Sequence, residues 1–175
     1  MIYVILAPHP DDEIIGCFEL IKENPKDVVV VHFKKYAGNT EEMRRFRINE
    51  AVKVADKYGF NHTVRDSVIT LIVDDMFWKI VENEAGGKEN VAILVPDLRD
   101  NHEHHRLVNS AGYIIAKRYG FRFGEYTTRM NTEYVRECKY PDEKLEAIKM
   151  YKSQSWLWEI GDAKWWIFEG RRYYE

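Results

Sequence analysis

Two short segments of this sequence crowd together side chains equipped for acid–base or metal chemistry. They are Pro8-His9-Pro10-Asp11-Asp12-Glu13 and Asp100-Asn101-His102-Glu103-His104-His105. In the first, one imidazole sits among three carboxylates. Such a set would repel a phosphate unless a cation intervened, and it lacks the glycines that bring backbone N–H groups against a pyrophosphate, so a dinucleotide site is rejected. A divalent metal makes better sense of it. Zinc accepts His nitrogen and carboxylate oxygen, and a catalytic zinc site keeps about three protein ligands plus a water. The spacing of His9 and Asp12 lets both turn inward, Pro10 stiffens the loop between them, and Asp11 is left to act on the water. A plainer reading is that Asp11, Asp12 and Glu13 only favour the positive end of a following helix. It explains the acids and leaves His9 without a role.

Three of the six histidines fall within four positions of the second segment. His102 and His105 are three apart at a helix start and can share a side. One can ligate the metal while the other donates a hydrogen bond, and spacing does not choose between them. His104 is expected to point elsewhere. His32, inside an apolar run, and His62 are read as structural. Arg47 and Glu50 share a helix face: they form either a surface ion pair worth about 0.3–0.5 kcal/mol or a pair in which Arg47 reaches the site and holds a polar substrate.

The elements that must position these residues follow from patterning. Ile2 to Ala7, Val28 to Phe33 and Val91 to Val95 are short apolar runs that suit buried strands, and strands are expected near His62 to Arg65 and over Arg122 to Thr128. Helices are expected over Glu13 to Glu23, from the Thr40 cap to Tyr58, over Asp75 to Asn83, over His104 to Tyr119, and from Pro141 to about Ser153. Gly59 and Gly120 close two of them, in the similar contexts Lys57-Tyr58-Gly59-Phe60 and Arg118-Tyr119-Gly120-Phe121. Strands alternating with helices predict an α/β fold with a mostly parallel sheet. Both reactive segments then fall beyond strand carboxyl ends, where open α/β sheets bind ligands.

A receiver domain also carries paired acids after its first strand. It needs a Lys after a later strand, and none follows Arg122 to Thr128; an imidazole ahead of the acids also favours zinc over magnesium. At 175 residues, 45% hydrophobic and 31% charged, the chain suits one domain, 1–175. Its net charge of −3 gives no broad attraction to nucleic acid. The basic runs Arg44-Arg45-Phe46-Arg47 and Arg171-Arg172 are read as solvated faces. No apolar stretch approaches the roughly 20 residues of a membrane span, and the first residues do not resemble a signal peptide, so a cytoplasmic protein is expected. Cys17 and Cys138 form no CxxC and are read as free thiols. The tail with Trp156, Trp158, Trp165 and Trp166 is read as core or as a contact in a homo-oligomer, with stacking on a sugar ring as the alternative.

The motifs together resemble one family. Ala7-Pro8-His9-Pro10-Asp11-Asp12-Glu13-Ile14-Ile15-Gly16 looks like the HPDDE hallmark of the LmbE-like, or PIG-L, deacetylases. Arg47-Ile48-Asn49-Glu50 is similar to that family's Arg-x-x-Glu helix, His102-Glu103-His104-His105 to its HxxH motif, and Lys152-Ser153-Gln154 to a recurrent late feature. The resemblance implies a Rossmann-like three-layer α/β sandwich. It also implies a zinc-dependent de-N-acetylase acting on N-acetylglucosamine-type sugars or sugar conjugates. By position, His9, Asp12 and His105 would ligate Zn2+, Asp11 would be the general base, His102 would stabilise the oxyanion and Arg47 would help hold the substrate. The partner implied is a small acetylated amino sugar or conjugate. Where the family usually has Asp before its second HxxH histidine, placed to orient the first, this chain has His104, with Asp100 or Glu103 as substitutes to orient His102. The chain is also shorter than many relatives, so trimmed substrate loops are expected. The alternatives are a non-catalytic metal-binding domain of the same fold, or a zinc hydrolase of other amides or esters.

Overall fold

The structure is a computed structural model that describes residues 1–128, 133–155, 159 and 167–174. Five strands run parallel: β1 (Ile2–Ala7), β2 (Val28–Phe33), β3 (Asn61–Arg65), β4 (Val91–Pro96) and β5 (Arg122–Tyr126). Two more, β6 (Val135–Glu137) and β7 (Phe168–Tyr174), extend one edge in antiparallel fashion, giving the order β3-β2-β1-β4-β5-β7-β6. Strands covered on both faces need apolar residues on both, and β1, β2 and β4 supply them. Along β1 the side chains alternate between two cores. Ile5 and Ala7 pack with Phe18, Val54 and Ile148 of α1 (Asp12–Glu23), α2 (Glu41–Tyr58) and α6 (Pro141–Ile148). Val4 and Leu6 pack with Leu71, Trp78 and Ile115 of α3 (Val68–Ile72), α4 (Asp75–Ala85) and α5 (Glu103–Tyr119). The result is the expected three-layer α/β sandwich.

The strand order decides where chemistry can sit. The chain leaves β1 towards β2 and β3, then returns to place β4 on the other side of β1. That reversal opens a crevice beyond the carboxyl ends of β1 and β4. The segments after those two strands are the two reactive ones.

Local chemistry sets the helices. Thr40 Oγ1 accepts from the N–H of Met43 at 3.1 Å and caps α2. Gly59 and Gly120 both stand at positive φ, 76° and 72°, and end α2 and α5 as expected. Gly16 has a different reason: a Cβ there would lie 2.2 Å from the Tyr126 ring. That ring is pinned by its hydroxyl, which donates to the Leu6 carbonyl at 3.0 Å.

Several expectations need correction. The last helix ends at Ile148 rather than Ser153, and Lys152–Gln154 is a separate 3-10 turn. The Arg122 strand stops at Tyr126, and α3, β6 and β7 were not anticipated. Arg171 and Arg172 are not on a solvated face; they pair with Glu169 at 2.9 Å and with Glu125, because β7 lies inside the sheet between β5 and β6. Trp156, Trp158, Trp165 and Trp166 lie outside the described residues. Cys17 and Cys138 are free and buried, and burial pushes both thiols up. Among the described residues no helix is long and apolar enough to cross a membrane.

One buried charge cluster accompanies a kink in α1, where Cys17 leaves helical geometry. Lys144 is fully buried and its Nζ donates to the carbonyls of Ile15 at 2.5 Å and Phe168 at 2.7 Å. The N–H of Glu19 donates to Glu169 Oε2 at 3.1 Å. The kink thus hands the two ends of an ordinary i to i+4 helical bond to a buried Lys–Glu pair, whose ions are 3.6 Å apart.

Candidate metal centre

The β1–α1 loop and the first residue of α1 deliver His9, Asp11 and Asp12; the β4–α5 loop delivers Asp100 and His102, and the first turn of α5 delivers His104 and His105. Three atoms converge. His9 Nδ1 lies 3.1 Å from Asp12 Oδ2 and 3.2 Å from His105 Nε2, which is 3.3 Å from the same Asp12 oxygen. Zinc bonds of about 2.0–2.1 Å meeting at tetrahedral angles would set neighbouring ligand atoms about 3.3–3.4 Å apart. The triangle therefore fits three ligands of such an ion, with two imidazole nitrogens and one carboxylate oxygen as the donor set.

The candidate ligands are oriented from behind, as metal-binding histidines require. Asp100 Oδ2 stands 3.0 Å from His105 Nδ1 and also accepts from the Thr128 hydroxyl at 3.1 Å. Asp100 Oδ1 accepts from the N–H of His102 at 2.8 Å. Asp100 therefore does not stand in behind His102 as anticipated: its side chain faces the His105 ring, and from His102 it takes only the backbone N–H. His9 Nε2 faces His104 Nδ1 at 3.0 Å, and Tyr36 stacks on His104 with ring centroids 4.3 Å apart. His104 therefore does not point elsewhere: it turns into the site, since its ring packs between His9 and the Tyr36 face.

Electrostatics agree with a cation here. His105 and His9 outweigh the effect of burial and hold Asp12 well below the usual carboxylate range. Burial opposes charge on His105, yet Asp12 and Asp100 push it up to about 10. Buried carboxylates at this point call for positive charge, which a dication also supplies.

Asp11 differs from its neighbour. Burial and the adjacent Asp12 carboxylate push it well above the ordinary Asp range. Among the described residues it is the one non-glycine at positive φ, 124°. Glu13 holds that turn: its Oε2 accepts from the N–H of Asp11 at 3.1 Å. Glu13 is in turn bound by His32 Nε2 at 3.0 Å and by the Tyr151 hydroxyl, and His32 Nδ1 lies 2.8 Å from His62 Nε2. His32 and His62 are structural, as expected, and they brace the Asp11 turn.

Arg47 sits at the site rather than in an ion pair with Glu50. One guanidinium nitrogen donates to the Pro10 carbonyl at 3.1 Å and lies 3.6 Å from Asp11 Oδ2. Its Nε is buried with no acceptor among the described residues. Glu50 is taken by Ser153, whose N–H and hydroxyl donate at 3.1 and 2.5 Å. The Lys152-Ser153-Gln154 motif thus ties the last segment to α2. His102 caps α5, its Nδ1 accepting from the N–H of His104 at 3.2 Å. That bond leaves Nε2 to carry the proton of the neutral ring. Burial and the imidazoles of His9 and His105 hold His102 down to about 4, which favours the neutral ring.

Sequence reading missed Tyr36, Thr128, Tyr151 and the inward turn of His104. For the first three no spacing signal existed, because each comes from a distant element.

No family model matches the sequence, and no curated protein matches it. Solved structures do. The zinc-inhibited form of teicoplanin deacetylase Orf2 superposes with a TM-score of 0.64 at 11% identity, covering 93% of this chain and 88% of that one. The A40926 pseudoaglycone deacetylase Dbv21 gives 0.62 at 14% identity, over 92% and 85%. GalB, the 4-carboxy-2-hydroxymuconate hydratase from Pseudomonas putida KT2440, gives 0.62 at 12% identity, over 100% and 97%. The chain thus shares its fold with these two deacetylases and with the hydratase.

Proposed function

We propose that the protein is a zinc-dependent hydrolase that removes the N-acetyl group from an N-acetylglucosamine-type sugar or sugar conjugate. The observation that carries this reading is the triangle of His9, Asp12 and His105 set directly beside Asp11 and His102. The structural likeness to two deacetylases and the HPDDE and HxxH motifs support it. We assign residues 1–175 to one such domain, working in the cytoplasm, where its thiols stay reduced.

The three ligands would hold the ion, which supplies a Lewis acid and a water of lowered pKa. The protein's own residues do the rest. Asp11, raised by burial and backed by Arg47, takes a proton as water attacks the amide carbon and passes it to the departing amine. His102 presents its Nε2–H to the developing oxyanion. Arg47 neutralises Asp11 at rest and helps hold a polar group of the substrate. Glu13, His32 and Tyr151 hold the Asp11 turn in place.

The test joins metal analysis to turnover. Purified protein is expected to hold about one tightly bound zinc per chain, with the tight equivalent lost in His105→Ala. N-acetyl sugars are expected to be hydrolysed, and a chelator to stop it. Asp11→Asn should keep the zinc and lose about 10²–10⁴ in kcat. Full activity in that variant would remove Asp11 as the base, and absence of any tight ion from wild type would sink the reading. The hydratase among the structural neighbours makes one rival outcome concrete: water added to a carbon–carbon double bond with no amide cleaved.

A further inference from the structure

We propose that the chain carries a second metal site, built from His9, His102 and His104 at the mouth of the first, whose occupation shuts the first site down. Ligand nitrogens of these three imidazoles lie within 4.8 Å of one another. The ring centroids of His9 and His102 are 4.6 Å apart, those of His9 and His104 5.2 Å, and those of His102 and His104 5.0 Å.

His9 belongs to both groups through opposite edges of its ring. Nδ1 faces Asp12 and His105, whereas Nε2 faces His104 Nδ1 at 3.0 Å. His104 is held in that attitude by its stack on Tyr36. His102 caps α5 through Nδ1; to ligate through Nε2 the ring's proton moves to Nδ1 and that capping bond is given up, and the side chain is exposed to solvent, so an ion can reach it. Every donor of the second group is an imidazole nitrogen. That set selects zinc, copper or nickel over magnesium or calcium.

Sharing His9 has a chemical cost. With one ion on Nδ1, a second ion on Nε2 displaces the ring proton: an N–H bond breaks, a metal–nitrogen bond forms, and the proton goes to solvent. The second equivalent is therefore the weaker one. Its ion also occupies His102, the group assigned to the oxyanion, so turnover falls as the second site fills. This regulatory consequence rests on the hydrolase reading; the site itself does not.

The experiment is a zinc titration of the full chain by equilibrium dialysis, with cobalt spectra as a second readout. The proteins are wild type, His104→Phe, which keeps a ring against Tyr36, His104→Gln and His105→Ala. Wild type is expected to bind a tight and then a weaker equivalent. Both His104 variants should lose the weaker one and its cobalt bands while still taking up the first. His105→Ala should lose the tight equivalent and keep the weaker. Turnover should fall above one equivalent in wild type and show no such fall in the His104 variants. Saturation of wild type at one equivalent overturns the second site alone. So does a second equivalent that survives both His104 substitutions. Loss of the tight equivalent from wild type would overturn the hydrolase reading separately.

Discussion

Helix α1 carries buried carboxylates at both ends of its kink, and the two groups have opposite fates. At the first turn, Asp12 meets imidazoles whose ligand atoms converge on a common point. Past the kink, Glu19 and Glu169 meet Lys144, Arg136 and Arg171, cations that the chain itself supplies. Burial is similar in the two places. The difference lies in what completes the charge: fixed Lys and Arg close the second cluster, whereas titratable, metal-competent His leaves the first open to an external cation. A buried acid is therefore weak evidence for a site until its partners are known.

Three substitutions sharpen that contrast. The largest effect is expected from Lys144→Met. It takes the buried ammonium from Glu169, leaving that carboxylate to Arg171, and from the carbonyls of Ile15 and Phe168, and should cost about 3–5 kcal/mol of stability in chemical denaturation. Zinc uptake per folded molecule should stay as in wild type. Loss of metal in this variant, at a temperature where it remains folded, would erase the distinction between the clusters.

A smaller effect is expected from Asp100→Asn, which removes the charge behind His105. Zinc affinity should drop about 10–100-fold with the denaturation midpoint of the metal-free protein little changed. An unaltered affinity would mean that Asp100 serves only to shape the loop.

The smallest is a pH effect at Glu19. Burial alone would raise this carboxyl, but Arg136 and the N–H of Lys139 overcome it and lower the group from 4.5. A lowered folded value adds stability above the unfolded pKa, and that contribution is lost as pH falls through the folded one. Glu19→Gln should therefore be less stable than wild type by about 1–3 kcal/mol at pH 7, with the gap narrowing below about pH 4.5. A gap that stays constant down to pH 3 would show that packing, not charge, explains Glu19.

Much of the fold was legible because its signals are local. The apolar runs of β1, β2 and β4, the Thr40 cap and the Gly59 and Gly120 stops each act within a few residues. The antiparallel edge was not, since β7 follows the tryptophan-rich tail and its Arg171 and Arg172 read as solvent-facing until Glu125 and Glu169 are beside them. The site divides in the same way. His9, Asp12 and His105 were chosen by residue type and by a family resemblance, and Asp11 by its place between two ligands. Arg47 stayed undecided because spacing along α2 allowed Glu50 as its partner, and only the Ser153 turn takes Glu50 away.

By itself, then, the sequence determined which atoms are available for chemistry and that two loops must bring them to the same edge of a parallel sheet. Tertiary structure alone decided how each imidazole is aimed: His105 by Asp100, His9 by His104, and His104 by Tyr36. The physical reason is that a ring's orientation and tautomer are set by the group facing its second nitrogen, and here that group arrives from another part of the chain or from across a loop.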